Sequence, residues 1–122
     1  MTPVISRYLT YLRNTAMLLE IEGNEVRIAN TGQEALALIP DFLPQIVFLD
    51  IGLKGMNGFE TAKQIRELPV GRQVYLVAVT GYGGDKTKTQ AFASGFDHFL
   101  VKPAKWESLS EALTKAAANE NP

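Results

Sequence analysis

The sequence predicts an α/β fold in which helices cover both faces of one parallel sheet. Three observations lead to this prediction. The 122 residues are enough for one hydrophobic core, short apolar runs alternate with segments of helical periodicity, and no repeat or linker divides the chain. Alternating strands and helices favour right-handed βαβ units. We therefore expect a single domain, residues 1–122, built on an open doubly wound sheet.

The predicted strands are four short apolar runs, most of them rich in β-branched residues. Because the runs are almost continuously apolar, they fit strands that are buried on both faces of a parallel sheet. They are Val26–Ala29, Ile46–Leu49, Val74–Val79 and Phe99–Val101.

The first predicted helix covers residues 31–39. Thr31 stands three positions before Glu34, which is the spacing of a capping box. Pro40 follows directly and is expected to end the helix, because proline cannot donate the next backbone hydrogen bond.

Three further segments have helical periodicity, and one of them carries a stop signal. Gly95 is suited to the position after a helix, where the backbone often turns left-handed. The segments are residues 58–68, 85–95 and 106–117. The end of the chain, residues 118–122, is expected to be a frayed tail.

Composition and charge exclude several classes of protein. The apolar share of 46% and the charged share of 20% are typical of globular domains. A formal net charge of −1 without any cluster of Lys or Arg argues against a nucleic-acid surface. The chain has no cysteine for disulfides or thiolate metal sites, no apolar stretch of membrane-spanning length and no signal-peptide pattern. We expect a cytoplasmic protein that binds neither nucleic acid nor membranes.

Three polar residues each follow directly on a predicted strand: Asp50, Thr80 and Lys102. Any one of them could simply terminate its strand. Because the carboxyl ends of parallel strands meet at one edge, where ligands bind in such sheets, we expect the three together to form a small polar pocket. A carboxylate can attack a phosphoryl group and form an acyl phosphate. A hydroxyl and an ammonium can then stabilise the charge on the transferring group.

Three segments resemble the signature segments of bacterial response-regulator receiver domains. They read VFLDIGLKGMNGFE, VAVTGYG and GFDHFLVKP. The spacings of 30 positions from Asp50 to Thr80 and 22 from Thr80 to Lys102 are typical of that family. The resemblance extends from about Thr15 to Ala117. It implies one receiver domain with a flavodoxin-like (βα)5 sheet of strand order 2-1-3-4-5.

The resemblance also implies roles for individual residues. Asp50 would be the phosphoacceptor, and Thr80 and Lys102 would bind the phosphoryl group. Phe99 would be the aromatic residue of the conformational switch, and Gly81 the small residue that leaves room for the phosphodonor. Such a domain is not an enzyme with a separate substrate; at most it promotes its own phosphorylation and dephosphorylation.

The implied function is phosphorelay signal transduction in a two-component system. A histidine kinase or phosphotransfer protein would donate the phosphoryl group, and the domain would then change conformation. The implied output surface is formed by the fourth helix, the fifth strand and the fifth helix. A downstream effector or a second copy of the chain would bind there.

The sequence departs from the family at the metal site. Receivers hold Mg²⁺ with an acidic pair at the end of the first strand, with the phosphoacceptor, and with a backbone carbonyl two residues later. The last two correspond to Asp50 and Gly52, whereas counting back along the sequence places the acidic pair at Ser6 and Arg7. Since Mg²⁺ prefers carboxylate oxygens, we expect its binding to be weakened or absent.

Three interpretations of the first residues are open on sequence alone. The first strand is kept and Arg7 pairs with Asp50; or residues 4–22 form one amphipathic helix, so that this strand is missing; or the first dozen residues are an artefact of the assigned gene start. Loss of the acidic pair also favours an alternative function, a pseudo-receiver that binds proteins independently of phosphorylation. A dehalogenase-type phosphatase would need a second aspartate where Gly52 stands.

Overall fold

Among the described residues, five strands and five α-helices alternate. The structure, a computed structural model, describes residues 7–10, 13–51, 58–81, 84–102 and 105–120. The strands are β1 (Arg7–Thr10), β2 (Glu25–Ile28), β3 (Ile46–Asp50), β4 (Tyr75–Thr80) and β5 (His98–Val101). The helices are α1 (Arg13–Ile21), α2 (Gly32–Phe42), α3 (Gly58–Glu67), α4 (Asp85–Ala93) and α5 (Trp106–Glu120). A 3₁₀ turn at Gly71–Gln73 precedes β4.

The strands form one parallel sheet in the order β2-β1-β3-β4-β5. This confirms the predicted fold class and the flavodoxin-like strand order. The four strands predicted from apolar runs are present, and their ends differ from the prediction by one residue at most.

Alternate residues of the strands pack against different helices. Val47 and Leu49 of β3 belong to the core cluster that includes buried residues of α2, α3 and α4. Ile46 and Phe48 belong to the other cluster, with buried residues of α1 and α5. Both faces of β3 are therefore covered, which explains why its sequence is continuously apolar.

The first strand shows that the long-helix interpretation of residues 4–22 is wrong. β1 pairs with both β2 and β3, and its residues Tyr8, Leu9 and Thr10 are buried. A helix in this place would leave β2 and β3 unpaired in the middle of the sheet. The backbone pairing therefore overrides the helical periodicity of the side chains.

The N-terminus of α2 is capped as predicted. The Thr31 hydroxyl oxygen accepts a hydrogen bond of 3.1 Å from the backbone N–H of Glu34. The Glu34 carboxylate in turn accepts one of 2.7 Å from the backbone N–H of Asn30. Both side chains therefore satisfy backbone donors where the helix begins.

The predicted end of α2 at Pro40 is wrong, because the helix continues to Phe42. A proline in the last turn removes only its own N–H donor. The N–H of Leu43 still donates to the carbonyl of Ile39 at 2.9 Å and closes the turn.

The ends of the two later helices differ in how well they were predicted. Gly95 follows α4 with a φ of +111°, as its stop signal indicated. The last helix continues to Glu120, so residues 118–120 are helical rather than a frayed tail. The run of alanines before this point favours helix. In the part of the chain that the structure describes, no helix is long and apolar enough to span a membrane.

Candidate functional site at the carboxyl edge of the sheet

Asp50 and Lys102 meet at the carboxyl edge of the sheet. Asp50 is the last residue of β3, and Lys102 follows β5, two strands away. The ammonium of Lys102 donates a hydrogen bond of 2.6 Å to Oδ2 of Asp50. The side chains of the lysine and the aspartate are 37% and 18% exposed. A positive charge therefore stands directly beside a largely buried carboxylate that still has access to solvent.

Thr80 ends the strand that lies between these two residues. It is buried, and its backbone carbonyl accepts a hydrogen bond of 2.7 Å from the N–H of Lys102. Asp50 pairs in register with Val79, the residue before Thr80. The predicted carboxylate, hydroxyl and ammonium residues thus stand at the carboxyl ends of three adjacent strands. This is the arrangement expected for a parallel sheet.

The structure locates two further predicted residues on or beside the same strands. Phe99 lies in β5 opposite Ala78 of β4, and its half-buried ring packs against the core cluster of α2, α3 and α4. Gly81 follows Thr80, and an added Cβ would meet no atom of the described residues within 4 Å.

Arg7 lies at the opposite edge, so its predicted contact with Asp50 is wrong. It is the first residue of β1, and its guanidinium is 3.6 Å from the carboxylate of Glu25. Its backbone carbonyl accepts a hydrogen bond of 2.8 Å from the N–H of Gln45, and its own N–H donates to the side chain of Gln45. Gln45 stands five residues before Asp50, and that spacing is roughly 16 Å along a strand.

The misplacement of Arg7 has a simple cause. Counting back from the second strand assumed a first helix of the family's usual length. In this chain α1 has nine residues, so β1 lies closer to it in sequence. Ser6, the other predicted replacement, and Gly52, the predicted carbonyl donor, lie outside the described residues.

Thr10 is a residue of this edge that the sequence analysis missed. It ends β1, is fully buried, and its carbonyl accepts a hydrogen bond of 3.0 Å from Ala29. The available signal was a hydroxyl residue directly after the apolar pair Tyr8 and Leu9, the same pattern that identified Thr80. The helical periodicity of this region obscured it.

Carboxylates for a Mg²⁺ ion are scarce around Asp50. The sequence contains no Asp or Glu before Glu20, so β1 cannot supply an acidic pair in any register. Within the described residues, no group of three His, Asp or Glu side chains could hold a metal ion. Because Mg²⁺ prefers several carboxylate oxygens, these residues do not fit the metal site that the family resemblance implies.

Comparison with known proteins identifies the family. The model of the response regulator receiver domain matches residues 9–114, and the chain belongs to this family. An uncharacterized 14.6 kDa protein of Leptolyngbya boryana is 37% identical over 86 residues, which cover 70% of this chain and 66% of that protein. The response regulator PleD of Caulobacter vibrioides is 35% identical over 85 residues, 70% of this chain and 19% of PleD. The matched part thus spans less than two thirds of either relative.

A solved structure gives a further comparison. It is a response regulator of Burkholderia pseudomallei with a phosphorylated aspartic acid, a calcium ion and citrate. The sequences are 26% identical, the alignment covers 96% of this chain and 75% of that one, and the TM-score is 0.79.

Proposed function

We propose that this chain is a phosphoacceptor module of two-component signalling, in which Asp50 receives a phosphoryl group from a histidine kinase or phosphotransfer protein. The 2.6 Å contact between Lys102 and Asp50 carries this proposal. It joins the nucleophile to the cation that would bind the transferred group. Thr80, at the end of the intervening strand, adds a hydroxyl residue at the same edge.

The transfer can be written with these residues alone. A carboxylate oxygen of Asp50 forms a bond to phosphorus as the bond from phosphorus to the donor breaks. The donor atom, an imidazole nitrogen or an acyl oxygen, leaves with the bonding electron pair. The ionised carboxylate needs no general base. Lys102 and the hydroxyl of Thr80 then donate hydrogen bonds to the phosphoryl oxygens, whose negative charge they stabilise.

The Burkholderia structure supports the proposed chemistry, because a protein of the same fold carries a phosphorylated aspartic acid. That protein also holds a calcium ion. Phosphorylation of this chain is therefore measured both with a divalent cation and without one.

The proposed output surface comprises α4, β5 and α5. Each of these elements exposes one large apolar side chain: Phe92 is 44% exposed, Val101 47% and Trp106 38%. β5 is also one of the two edge strands of the described sheet, the other being β2. Movement of Thr80 toward a bound phosphoryl group would change the packing of Phe99 in β5, and binding of an effector or a second copy would respond.

Mass spectrometry tests the proposal. The intact chain is incubated with acetyl phosphate, with Mg²⁺ or with EDTA, and its mass is measured. We expect a gain of one phosphoryl group in the wild type and in Asp41→Asn, an exposed matched control. Asp50→Asn should gain none. Absence of the modification from folded wild-type protein in both conditions would refute the phosphoacceptor function.

The absence of acidic residues before Glu20 favours a second candidate function, a pseudo-receiver. In this case the surface of α4, β5 and α5 binds its partner in a fixed state, and Asp50 is structural. The candidate function requires an unmodified wild type in the experiment above. Partner binding should then be the same in wild type and Asp50→Asn.

A further inference from the structure

We infer that the pocket around Asp50 excludes divalent cations and that Lys102 supplies the balancing positive charge in their place. The inference concerns the same pocket and rests on the proposed function only for the choice of Asp50 as the central carboxylate. It goes further by assigning a metal-independent chemistry to this chain.

The charge count around Asp50 supports the inference. A receiver pocket with an acidic pair and a phosphoacceptor has three negative charges, which a divalent cation and one lysine balance. In this chain Asp50 contributes one negative charge and Lys102 one positive charge, at a distance of 2.6 Å. The pair is neutral without a metal ion. A divalent cation would leave two uncompensated positive charges in a partly buried place, which is costly.

The deficit of carboxylates does not depend on how the first strand is aligned. β1 ends at Thr10, and the next residues in the sequence are Tyr11 and Leu12, which lie outside the described residues. The first acidic residue, Glu20, lies near the end of α1 and is exposed. No shift of the alignment brings a carboxylate from this part of the chain to the strand end.

The position of Lys102 adds a geometric argument. Its backbone N–H donates to the carbonyl of Thr80 at 2.7 Å, so the backbone is fixed where the side chain begins. Its ammonium then occupies the neighbourhood of Oδ2 of Asp50. A cation coordinated by this oxygen would have a like charge within a few ångströms, and the repulsion adds to the lack of ligands.

A Mn²⁺ titration of the full chain, read by the electron paramagnetic resonance of the free ion, tests the inference. We expect no saturable binding to the wild type. The double variant Tyr11→Asp/Leu12→Asp adds two carboxylates at the sequence positions that follow Thr10, the last residue of β1, and should show the saturable Mn²⁺ binding that the wild type lacks. The matched control Ser6→Asp/Arg7→Asp should behave as wild type, because Arg7 lies at the opposite edge. Circular dichroism checks that each variant is folded.

Two results of the Mn²⁺ titration would contradict the inference or its explanation. Saturable Mn²⁺ binding to the wild type that is lost in Asp50→Asn overturns the inference. A folded Tyr11→Asp/Leu12→Asp variant that gains no binding overturns the explanation by missing carboxylates. If this double variant fails to fold, the single variants Tyr11→Asp and Leu12→Asp are titrated under the same criterion.

Phosphoryl transfer is measured separately, so the inference and the proposed function can fail independently. Modification of Asp50 that is equal in Mg²⁺ and in EDTA supports both. Modification that requires Mg²⁺ supports the phosphoacceptor function and overturns the inference. If Asp50 is never modified, the proposed function fails, and the Mn²⁺ titration still decides whether the pocket excludes metal.

Discussion

The two edges of the sheet hold their charged side chains in different ways. At the amino edge, where the chain enters β4 and β5, the guanidinium of Arg66 donates hydrogen bonds of 2.7–3.0 Å to three backbone carbonyls and one carboxylate. The acceptors are Gly71, Val74, Gly95 and Asp97. One side chain thus ties the end of α3 to the segments before β4 and β5.

At the carboxyl edge the charged contact joins two side chains, Lys102 and Asp50, and both remain partly exposed. Such a contact can be exchanged for a contact with an incoming anion, whereas backbone carbonyls cannot leave Arg66 without rearrangement of the chain. Substitutions at the amino edge should therefore cost mainly folding stability. Substitutions at the carboxyl edge should mainly reduce the proposed phosphoryl transfer to Asp50.

The largest loss of stability is expected for Gly71→Ala at the amino edge. A Cβ at this position would lie 1.6 Å from the backbone carbonyl oxygen of Ile65, so the turn after α3 would have to move. We expect a decrease of about 3 kcal/mol or more in the free energy of unfolding, measured with urea. Gly81→Ala at the carboxyl edge is the control and should change it by less than about 0.5 kcal/mol. Similar losses in the two variants would contradict the comparison.

Arg66→Ala should cost less but still lower the free energy of unfolding by about 2–3 kcal/mol. The substitution removes the donors of three backbone carbonyls and leaves the carboxylate of Asp97 without its cation. Urea unfolding followed by circular dichroism measures the effect. Arg72→Ala, which removes an exposed arginine from the 3₁₀ turn, is the matched control with an expected change below about 0.5 kcal/mol. Equal effects of the two substitutions would show that the hydrogen bonds of Arg66 do not stabilise the segments before β4 and β5.

Asp50→Asn should have a smaller effect on stability, a decrease of about 1 kcal/mol, because the pair with Lys102 is partly screened by solvent. The sign of the change in the free energy of unfolding distinguishes two kinds of pocket. In a pocket with three carboxylates, removing one would relieve repulsion and raise the free energy of unfolding. Here it removes the anion from a neutral pair. Chemical denaturation at low salt measures the change.

The control for Asp50→Asn is Glu111→Gln. Glu111 forms an exposed pair with Lys115 at 3.1 Å, and exposed pairs contribute a few tenths of a kcal/mol. An increase in stability on Asp50→Asn would mean that other carboxylates surround Asp50. It would therefore contradict the charge count on which the proposed exclusion of divalent cations rests.

The sequence predicted the carboxyl edge better than the amino edge, for a physical reason. Asp50, Thr80 and Lys102 each follow an apolar strand directly, and parallel strands bring their ends together automatically. Arg66 contacts Gly95, which lies 29 positions further along the chain. The local periodicity of the sequence gives no indication of such a contact. A partner for an arginine inside a helical pattern can be recognised only after the segments have been assembled.

The first strand shows the opposite limit of sequence reasoning. Its register was inferred by counting through α1, and a helix of nine residues was not expected. The error moved Arg7 from one edge of the sheet to the other. The lack of carboxylates before Glu20 does not depend on this register, because it is a property of the composition of the first residues.

The smallest expected effect concerns the pH dependence of the free energy of unfolding. It arises from His98, the first residue of β5. Burial lowers the pKa of His98 below its ordinary value of 6.5; Lys115 and Lys88 act in the same direction, and Glu111 opposes them. The unfolded chain therefore binds the proton more readily than the folded one. The contribution of His98 to stability is present above pH 6.5 and is lost as the pH falls through the lowered pKa.

His98→Gln should remove the part of the stability loss at low pH that comes from protonation of His98. Urea unfolding of wild type and variant across about pH 7.5 to pH 5 measures it as a difference, in which the carboxylates common to both proteins cancel. The stability of the wild type should fall more steeply than that of the variant. Lys115→Met removes one cause of the lowered pKa and should give an intermediate slope. Parallel curves for wild type and His98→Gln would mean that His98 binds its proton equally well in the folded and unfolded chain, and that burial at this strand has no electrostatic cost.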